Sequence, residues 1–308
     1  MTARATLLAA AGLAALTAAP LAARQVFRSG TDMVVLSVSA IDAANHPVAG
    51  LEQKDFVVFE DGIAQEISFF AREPQPIALS LLIDTSTSME PRMAIAQEAA
   101  IGFTKRLTKS DVEQIIDFNS DYVVRQSFTN DLDALEKAIR QTRAGGSTSL
   151  YNALYAAFHE LNQVRATSTD EVRRQAIVVL SDGEDTTSLI SYDDVLSAAK
   201  RSNVTVYAIG LRSKDQASVP QRGFKESDFV LRTLSQETGG RVFYVDDAAQ
   251  LAGVYGQIAD ELSNQYMIGY LSKNTKRDGA WRAVSVRVTR PNVAARSKSG
   301  YFAPPAKK

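Results

Sequence analysis

Residues 77 to 90, "IALSLLIDTSTSME", begin with a strongly apolar run that stops at Asp84. Hydroxyl side chains follow at alternate positions, Ser86 and Ser88. A short apolar run that ends in turn residues is typical of a strand buried on both faces of a parallel sheet. The carboxylate and the two hydroxyls that follow it therefore lie at a strand end, where a site can be built.

Similar apolar runs recur along the middle of the chain and alternate with helical patterns. Apolar residues at 3.6-residue spacing begin at Ala96, Leu150 and Leu251 and predict helices. This alternation predicts an α/β fold with a doubly wound, mostly parallel, six-stranded sheet and helices on both faces, a Rossmann-like arrangement. The connection "DFNSD" is too short for a crossover and predicts one antiparallel hairpin. The predicted strands are 77–83, 112–118, 121–127, 176–181, 204–211 and 241–245.

Strand patterns of a different kind lie at both ends of the chain. Residues 33–43 alternate in the strand period, and residues 55–70 contain two strand-like runs joined at Asp61 and Gly62. Asp-Gly is a strong hairpin signal because both residues can adopt a positive φ. Further strands are predicted within 265–272, 281–290 and 299–304.

These patterns predict the order of the domains. We expect the α/β domain, residues 76–265, to be inserted in a small β-sandwich-like domain. The two parts of that β domain would be residues 24–75 and residues 266–308, the second including the tail. Insertions of this kind are expected at surface junctions.

Candidate ligand groups cluster at the predicted carboxyl ends of two strands. In a doubly wound sheet, ligands bind beyond the strand ends where the strand order reverses. Asp84 leaves the first strand there, Asp182 in "IVVLSDGED" leaves the fourth crossing strand, and Thr148 in "AGGSTSLYNAL" precedes the helix between them. The glycines before Thr148 allow this loop to approach closely.

With Ser86 and Ser88, these residues form a set of hard oxygen donors. Such donors suit Mg²⁺, and also Mn²⁺ or Ca²⁺, and do not suit zinc or copper. The candidate metal site therefore consists of Asp84, Ser86, Ser88, Thr148 and Asp182.

The three motifs resemble the metal-ion-dependent adhesion site of von Willebrand factor type A (VWA) domains. The resemblance covers about 77–265 and rests on "DTSTS" as D-x-S-x-S, on the Thr of "GGSTSLYNAL" and on the Asp of "LSDGED". It implies that Ser86, Ser88 and, with ligand bound, Thr148 contact the metal directly. By the same resemblance, Asp84 and Asp182 act largely through water. The flanking strands resemble secreted bacterial VWFA-related proteins.

A metal held by neutral hydroxyls keeps uncompensated charge and an open position, which favours a Glu or Asp carboxylate from a protein partner. We therefore expect a metal-dependent adhesion or scaffolding module and not an enzyme. One alternative is a structural or interaction domain that works without metal. Another is a phosphoryl-transfer enzyme, since haloacid-dehalogenase-like phosphatases place a nucleophilic Asp where Asp84 stands. Those enzymes resemble D-x-D-x-[TV], and Ser86 in the second position cannot act as a general acid at neutral pH.

The composition excludes other classes of function. The chain has 308 residues, of which 45% are hydrophobic, so it can bury a full core. Its 34 basic and 35 acidic residues give a net charge of −1, and no global field favours nucleic acid or an anionic membrane. With only His46 and His159, a histidine-bound zinc or a catalytic triad is not expected. Glu184 and Asp185 are expected to be solvated loop acids, with a supporting charge near the metal as the alternative.

The first 23 residues predict export. They contain Arg4, an Ala/Leu run, Pro20 and small residues, which is the pattern of a secretory signal peptide. An uncleaved anchor is the alternative, but the apolar run is shorter than the roughly 20 residues that a span requires. We expect a periplasmic or secreted protein with no membrane span after cleavage. The chain has no cysteine, so packing alone must stabilise it.

Overall fold

The computed structural model describes residues 33–72, 75–167, 173–182, 184–211 and 226–306. The predicted signal peptide, residues 1–23, lies outside the described residues. Within the described ranges, no helix combines the length and the apolar character needed to cross a membrane. All described residues fall within one compact unit, Thr31–Lys308.

Strands and helices alternate through the middle of the chain, and strands alone occupy both flanks. The strands are β1 (Met33–Asp42), β2 (Phe56–Glu60), β3 (Ile63–Gln65), β4 (Ile67–Ala71), β5 (Ile77–Asp84), β6 (Val112–Phe118), β7 (Tyr122–Thr129), β8 (Arg174–Ser181), β9 (Val204–Leu211), β10 (Val242–Val245), β11 (Tyr266–Leu271), β12 (Trp281–Val288), β13 (Val293–Arg296) and β14 (Gly300–Phe302). The α-helices are α1 (Met93–Thr104), α2 (Leu132–Gln141), α3 (Leu150–Thr167), α4 (Tyr192–Arg201), α5 (Glu226–Thr238) and α6 (Leu251–Ser263).

The middle of the chain forms one six-stranded sheet in the order β10-β9-β8-β5-β6-β7. Every neighbouring pair is parallel except β6 and β7, which form the predicted antiparallel hairpin. The first strand, β5, lies beside β8, so the predicted reversal of strand order is confirmed. This places the ends of β5 and β8 at the same edge of the sheet.

Strand β5 lies between β8 and β6, and helices cover both of its faces. All eight of its residues are buried. Leu81 and Ile83 belong to an apolar cluster shared with α1, α2 and α6, whereas Leu82 belongs to a second cluster shared with α3, α4 and α5. Burial of each such side chain contributes roughly 1.5–3 kcal/mol. The predicted helical coverage of both faces is thus confirmed.

Helices α1 and α6 pack on the same face of the sheet. The α1 side chains Ala96, Ala100 and Phe103 are almost completely buried, as their spacing predicted. Phe103 lies against Tyr255 of α6, with ring centroids 5.0 Å apart. The first and last helices of the α/β segment therefore share one core.

The flanking strands form two four-stranded sheets, β13-β1-β11-β4 and β14-β12-β2-β3. Each sheet combines strands from both ends of the chain; for example, β1 pairs with β11 and β2 with β12. Asp61 and Gly62 adopt φ values of 48° and 79°, so the predicted turn is confirmed. One apolar cluster contains Leu36 of β1 and Val58 of β2, from different sheets.

Two details of the flanks differ from the sequence prediction. Residues 55–70, predicted as two strands, fall mainly in β2, β3 and β4. Strand β13 was not predicted. None of its residues is fully buried, so its sequence shows no alternation of apolar and polar residues. It begins directly after Asn292, which adopts a φ of 60° and so turns the chain back from β12.

Candidate metal centre

Asp84 and Asp182 lie at the carboxyl ends of two adjacent parallel strands. Asp84 is the last residue of β5, and Asp182 follows Ser181, the last residue of β8. The two strands are paired up to Ile83 and Leu180. The strand order therefore brings together carboxylates that are about a hundred residues apart in sequence.

Four of the predicted site residues are connected by one chain of hydrogen bonds. The backbone N–H of Ser86 donates to Oδ1 of Asp84 at 2.8 Å. The hydroxyls of Ser86 and Ser88 are 3.0 Å apart, and Ser88 Oγ donates to Oδ1 of Asp182 at 2.6 Å. Both serine hydroxyls thus lie between the two carboxylates.

Asp84 is the buried end of this chain. Its side chain is completely buried, and its second oxygen, Oδ2, accepts a hydrogen bond from Ser181 Oγ at 2.6 Å. Burial raises the pKa of Asp84, while the hydrogen bonds from Ser181 and Ser86 act in the opposite direction. A nearby cation would favour the ionised form of such a carboxyl group.

The loop after β5 directs alternate hydroxyls to different places. Thr85 Oγ1 donates to the carbonyl of Phe118 at 3.1 Å, and Thr87 Oγ1 donates to the carbonyl of Gly146 at 3.0 Å. The alternating residues bond to the aspartates instead: Ser86 donates its N–H to Asp84, and Ser88 donates its hydroxyl to Asp182. The threonines therefore fasten the loop to its neighbours, and the serines are left to form the site.

The loop that carries Thr148 is held directly against the loop after β5. The N–H of Gly145 donates to the Thr85 carbonyl at 2.8 Å, and the N–H of Thr87 donates to the Gly146 carbonyl at 3.1 Å. Gly146 adopts a φ of +81°, and a Cβ there would lie 2.6 Å from Ser120 Oγ. Glycine is therefore required at this position, which supports the predicted close approach of the loop.

Thr148 is buried but belongs to a neighbouring hydrogen-bond network. Its N–H donates to Thr186 Oγ1 at 3.0 Å, and its carbonyl accepts from the N–H groups of Thr186 and Thr187 at 2.8 and 3.2 Å. Among the described residues, the hydrogen-bonded chain from Asp84 to Asp182 does not include it. The structure thus brings four predicted residues into one chain and places the fifth on the adjacent loop.

Arg92 also belongs to the site, although it was not among the predicted residues. Its guanidinium Nη1 lies 2.6 Å from Oδ2 of Asp182, in an ion pair whose carboxylate side chain is only 3% exposed. With Ser88 on Oδ1, both oxygens of Asp182 are engaged. Arg92 lies four residues after Ser88, at the end of the 3-10 helix Thr87–Arg92, and no sequence pattern indicates its contact with Asp182.

The prediction that Asp185 is a solvated loop acid is wrong. Its Oδ1 accepts hydrogen bonds from the backbone N–H of Tyr151 at 3.1 Å and from Ser188 Oγ at 2.6 Å. Ser188 Oγ in turn accepts from the N–H of Asn152 at 3.0 Å. These bonds satisfy free N–H groups in the first turn of α3, directly after Thr148. Glu184, by contrast, is exposed as predicted.

The donor chemistry of the centre fits a hard divalent cation. Within the described ranges, no group of three or more His, Cys, Asp or Glu side chains is placed to hold a metal ion. The candidate centre instead combines two carboxylates with three hydroxyls, all of them oxygen donors. Mg²⁺ and Ca²⁺ accept such ligands together with water, whereas structural zinc sites use sulfur and nitrogen.

The model of the von Willebrand factor type A domain family matches residues 79–257. The chain belongs to this family. All five candidate residues lie within the matched part of the VWA domain. Membership supports a role as an interaction module.

The similar proteins described here share 14–25% sequence identity with this chain. An uncharacterized protein from Borreliella burgdorferi is 25% identical over 188 residues, and the match covers 54% of this chain and 53% of that protein. The alignment thus spans about half the length of this curated relative. The structure of a von Willebrand factor type A protein from Catenulispora acidiphila has a TM-score of 0.52 at 16% identity, covering 90% of this chain and 64% of that one. The PilB minor pilin from Streptococcus sanguinis has a TM-score of 0.47 at 14% identity, covering 63% of each chain.

Proposed function

We propose that the VWA domain is a metal-dependent protein-binding module that serves adhesion or scaffolding. Mg²⁺ is the proposed metal, and Mn²⁺ or Ca²⁺ have the same ligand preference. The observation that carries the proposal is the hydrogen-bonded chain from Asp84 through Ser86 and Ser88 to Asp182 at the end of β5 and β8. This arrangement collects hard oxygen donors at the edge of the sheet where ligands of doubly wound folds bind.

Each residue has a separate role in this proposal. Ser86 and Ser88 would provide neutral hydroxyl ligands, and Thr148 would add a third from the adjacent loop. Asp84 and Asp182 orient the serines through the hydrogen bonds already described. When bound, the cation attracts a Glu or Asp carboxylate of a protein partner.

We propose further that this centre is not catalytic. A phosphoryl-transfer mechanism would require an accessible carboxylate oxygen on Asp84. That side chain is completely buried, and its oxygens accept hydrogen bonds from Ser86 and Ser181. Both features support binding and do not support nucleophilic attack.

We also propose that the protein is exported to the periplasm or the exterior. The support is the N-terminal sequence pattern of residues 1–23. The same proposal includes no membrane span after cleavage, because the N-terminal apolar run is shorter than the roughly 20 residues that a span requires. It also includes no nucleic-acid partner, which a net charge of −1 does not favour.

The two flanking sheets are proposed to form one β-sandwich-like domain into which the VWA domain is inserted. The support is their shared apolar cluster, in which Val38 and Tyr266 of one sheet join Phe56 and Val286 of the other. Phe56 and Tyr266 lie 5.1 Å apart between ring centroids. Packing of this kind between two antiparallel sheets is typical of sandwiches.

A second candidate function is partner binding without metal. The ion pair between Arg92 and Asp182 favours it, because the guanidinium already compensates a carboxylate of the centre. In that case the same edge of the sheet would bind its partner through hydrogen bonds alone.

The experiment that tests the proposal is affinity capture from the native secretome by the full chain, in Mg²⁺ and in EDTA. We expect a partner to be retained in Mg²⁺ only, and to be lost with the double variant Asp84→Ala, Ser86→Ala. Ser68→Ala is a matched control because Ser68 is exposed and lies on β4 of a flanking sheet. Equal capture in Mg²⁺ and EDTA would contradict the proposal and favour the second candidate.

A further inference from the structure

Arg92 brings a positive charge to the same carboxylate that the proposed metal site uses. The guanidinium lies 2.6 Å from Asp182, and Ser88 donates to the other oxygen of that carboxylate. Arg92 side-chain exposure is 21%, against 3% for Asp182, so the pair is shielded from most of the solvent. Charge-assisted bonds in such surroundings are stronger than exposed ones.

The segment that carries Arg92 also carries a proposed ligand. Ser88 and Arg92 belong to the same 3-10 helix, Thr87–Arg92, and α1 begins at the next residue, Met93. Met89, between them, is completely buried and fixes the segment to the core. The guanidinium and the serine hydroxyl are therefore both directed at Asp182 by one short, anchored element.

We infer that Arg92 competes with the divalent cation for the carboxylate of Asp182. By neutralising this carboxylate, Arg92 sets the metal affinity of the site. The inference rests on the proposed function, and it adds a regulating residue that the family resemblance does not supply. Two cationic groups that share one carboxylate repel each other, so tight metal binding requires Arg92 to give up part of its contact. Loss of the guanidinium charge should therefore strengthen metal binding.

The test compares Arg92→Gln with Arg92→Lys in the full chain, by calorimetric titration with Mn²⁺ and by thermal melting in EDTA. Gln keeps a polar side chain without charge, and Lys keeps the charge. We expect Arg92→Gln to bind Mn²⁺ about tenfold more tightly than the wild type, about 1.4 kcal/mol. The same variant should melt at a lower temperature in EDTA, because Asp182 loses its charged partner. Arg92→Lys should remain close to the wild type in affinity.

The control is Arg140→Gln, which removes an exposed arginine of α2 that pairs with Glu98 and Glu136. It should change neither the affinity nor the EDTA melting temperature by a comparable amount. If the wild type binds Mn²⁺ and Arg92→Gln binds equally or less tightly, the inference is overturned and the proposed function stands. If only Arg92→Gln binds, the inference is supported and the proposed function of the wild type fails. Absence of binding in both overturns both.

Discussion

At the scale of single residues, substitution of Ser88 gives the most direct test of the proposed site, because this serine connects Ser86 to Asp182. Ser88→Ala removes the hydroxyl that donates to Asp182 at 2.6 Å and that lies 3.0 Å from Ser86 Oγ. We expect Mn²⁺ affinity to fall by about tenfold or more, with a loss of about 1–3 kcal/mol in the free energy of unfolding. Calorimetry and urea denaturation measure the two effects. Thr87→Ser, which keeps the bond to the Gly146 carbonyl, is the control.

Glu113 predicts a pH dependence of stability that is independent of the metal centre. It lies on β6, completely buried, and neither its oxygens nor the nearby Thr104 hydroxyl has a hydrogen-bond partner of ordinary geometry. Burial raises the pKa of Glu113 to about 8, although the interaction with Thr104 acts in the opposite direction. The folded state therefore retains a proton that the unfolded chain releases near its ordinary pKa of 4.5.

The stabilising contribution of this proton is complete below that ordinary pKa and is lost as the pH rises toward about 8. The loss is on the order of several kcal/mol over this range. Glu113→Gln should flatten the dependence, since an amide does not titrate here. Urea denaturation at several pH values between about 5 and 9 measures it. Parallel pH curves for the wild type and the variant would show that Glu113 does not titrate in this range.

The proximity of four candidate residues was predictable from the sequence because all four follow directly from two strand ends. Asp84, Ser86, Ser88 and Asp182 need only the strand order to meet. The contact of Arg92 with Asp182 joins residues that are ninety positions apart, and the sequence contains no local signal for such a pairing. Asp185 was wrongly predicted to be solvated for the same reason, because its partner Tyr151 lies in α3, 34 residues earlier in the sequence.

At the scale of elements, the buried strands were predictable, whereas two short edge strands were not: β13 was missed, and β3 was not separated from β4. All residues of β5, β8 and β9 are buried, so each appears as a continuous apolar run. The short strand β3 has two exposed residues and one buried residue, β13 is mostly half-buried, and neither shows a clear alternation. Edge strands of this kind are defined by their partners more than by their own residues.

The loop before α3 predicts a contrast between two glycines. Gly146→Ala should lower the free energy of unfolding by about 1–3 kcal/mol, because Gly146 has a φ of +81° and an added Cβ would lie 2.6 Å from Ser120 Oγ. It should also weaken metal-dependent partner capture, since the loop carries Thr148. Gly102→Ala is the control: Gly102 lies inside α1 with no atom within 4 Å of an added Cβ. That variant should gain about 0.4–1 kcal/mol. Equal stability of the two variants would contradict this reading of the loop.

At the scale of the whole molecule, the last helix of the VWA domain is bonded to the flanking sheets. Glu261 of α6 is almost completely buried and accepts hydrogen bonds from Ser39 of β1 and Tyr207 of β9, each at 2.8 Å. Arg296 of β13 donates to its other oxygen. The sequence did not predict this network, since Ser39 and Glu261 are 222 residues apart.

This network predicts how a fragment of residues 76–265 behaves. The fragment retains both apolar clusters of the six-stranded sheet and should fold. It should melt at a lower temperature than the full chain, because Glu261 loses the hydrogen bond from Ser39 and the ion pair with Arg296. Circular dichroism with temperature measures both properties. A fragment that is unfolded, or one that melts at the same temperature as the full chain, would contradict the prediction.

The link from α6 to the flanking sheets also suggests a route by which partner binding could be transmitted. The helix ends at Ser263, and β11 begins at Tyr266, so a displacement of α6 reaches the flanking sheet within a few residues. We predict that a partner carboxylate at the metal centre shifts α6. Hydrogen exchange of α6, with and without captured partner, measures it; unchanged protection would contradict the prediction.

The measurement that tests the metal centre most directly is calorimetric titration of Mn²⁺ into the full chain. We predict binding at a single site in the wild type and its loss in the double variant Asp84→Ala, Ser86→Ala, with both proteins folded by circular dichroism. Equal uptake of Mn²⁺ by the wild type and the double variant would show that the bound ion lies elsewhere, and the proposed metal site would then be wrong.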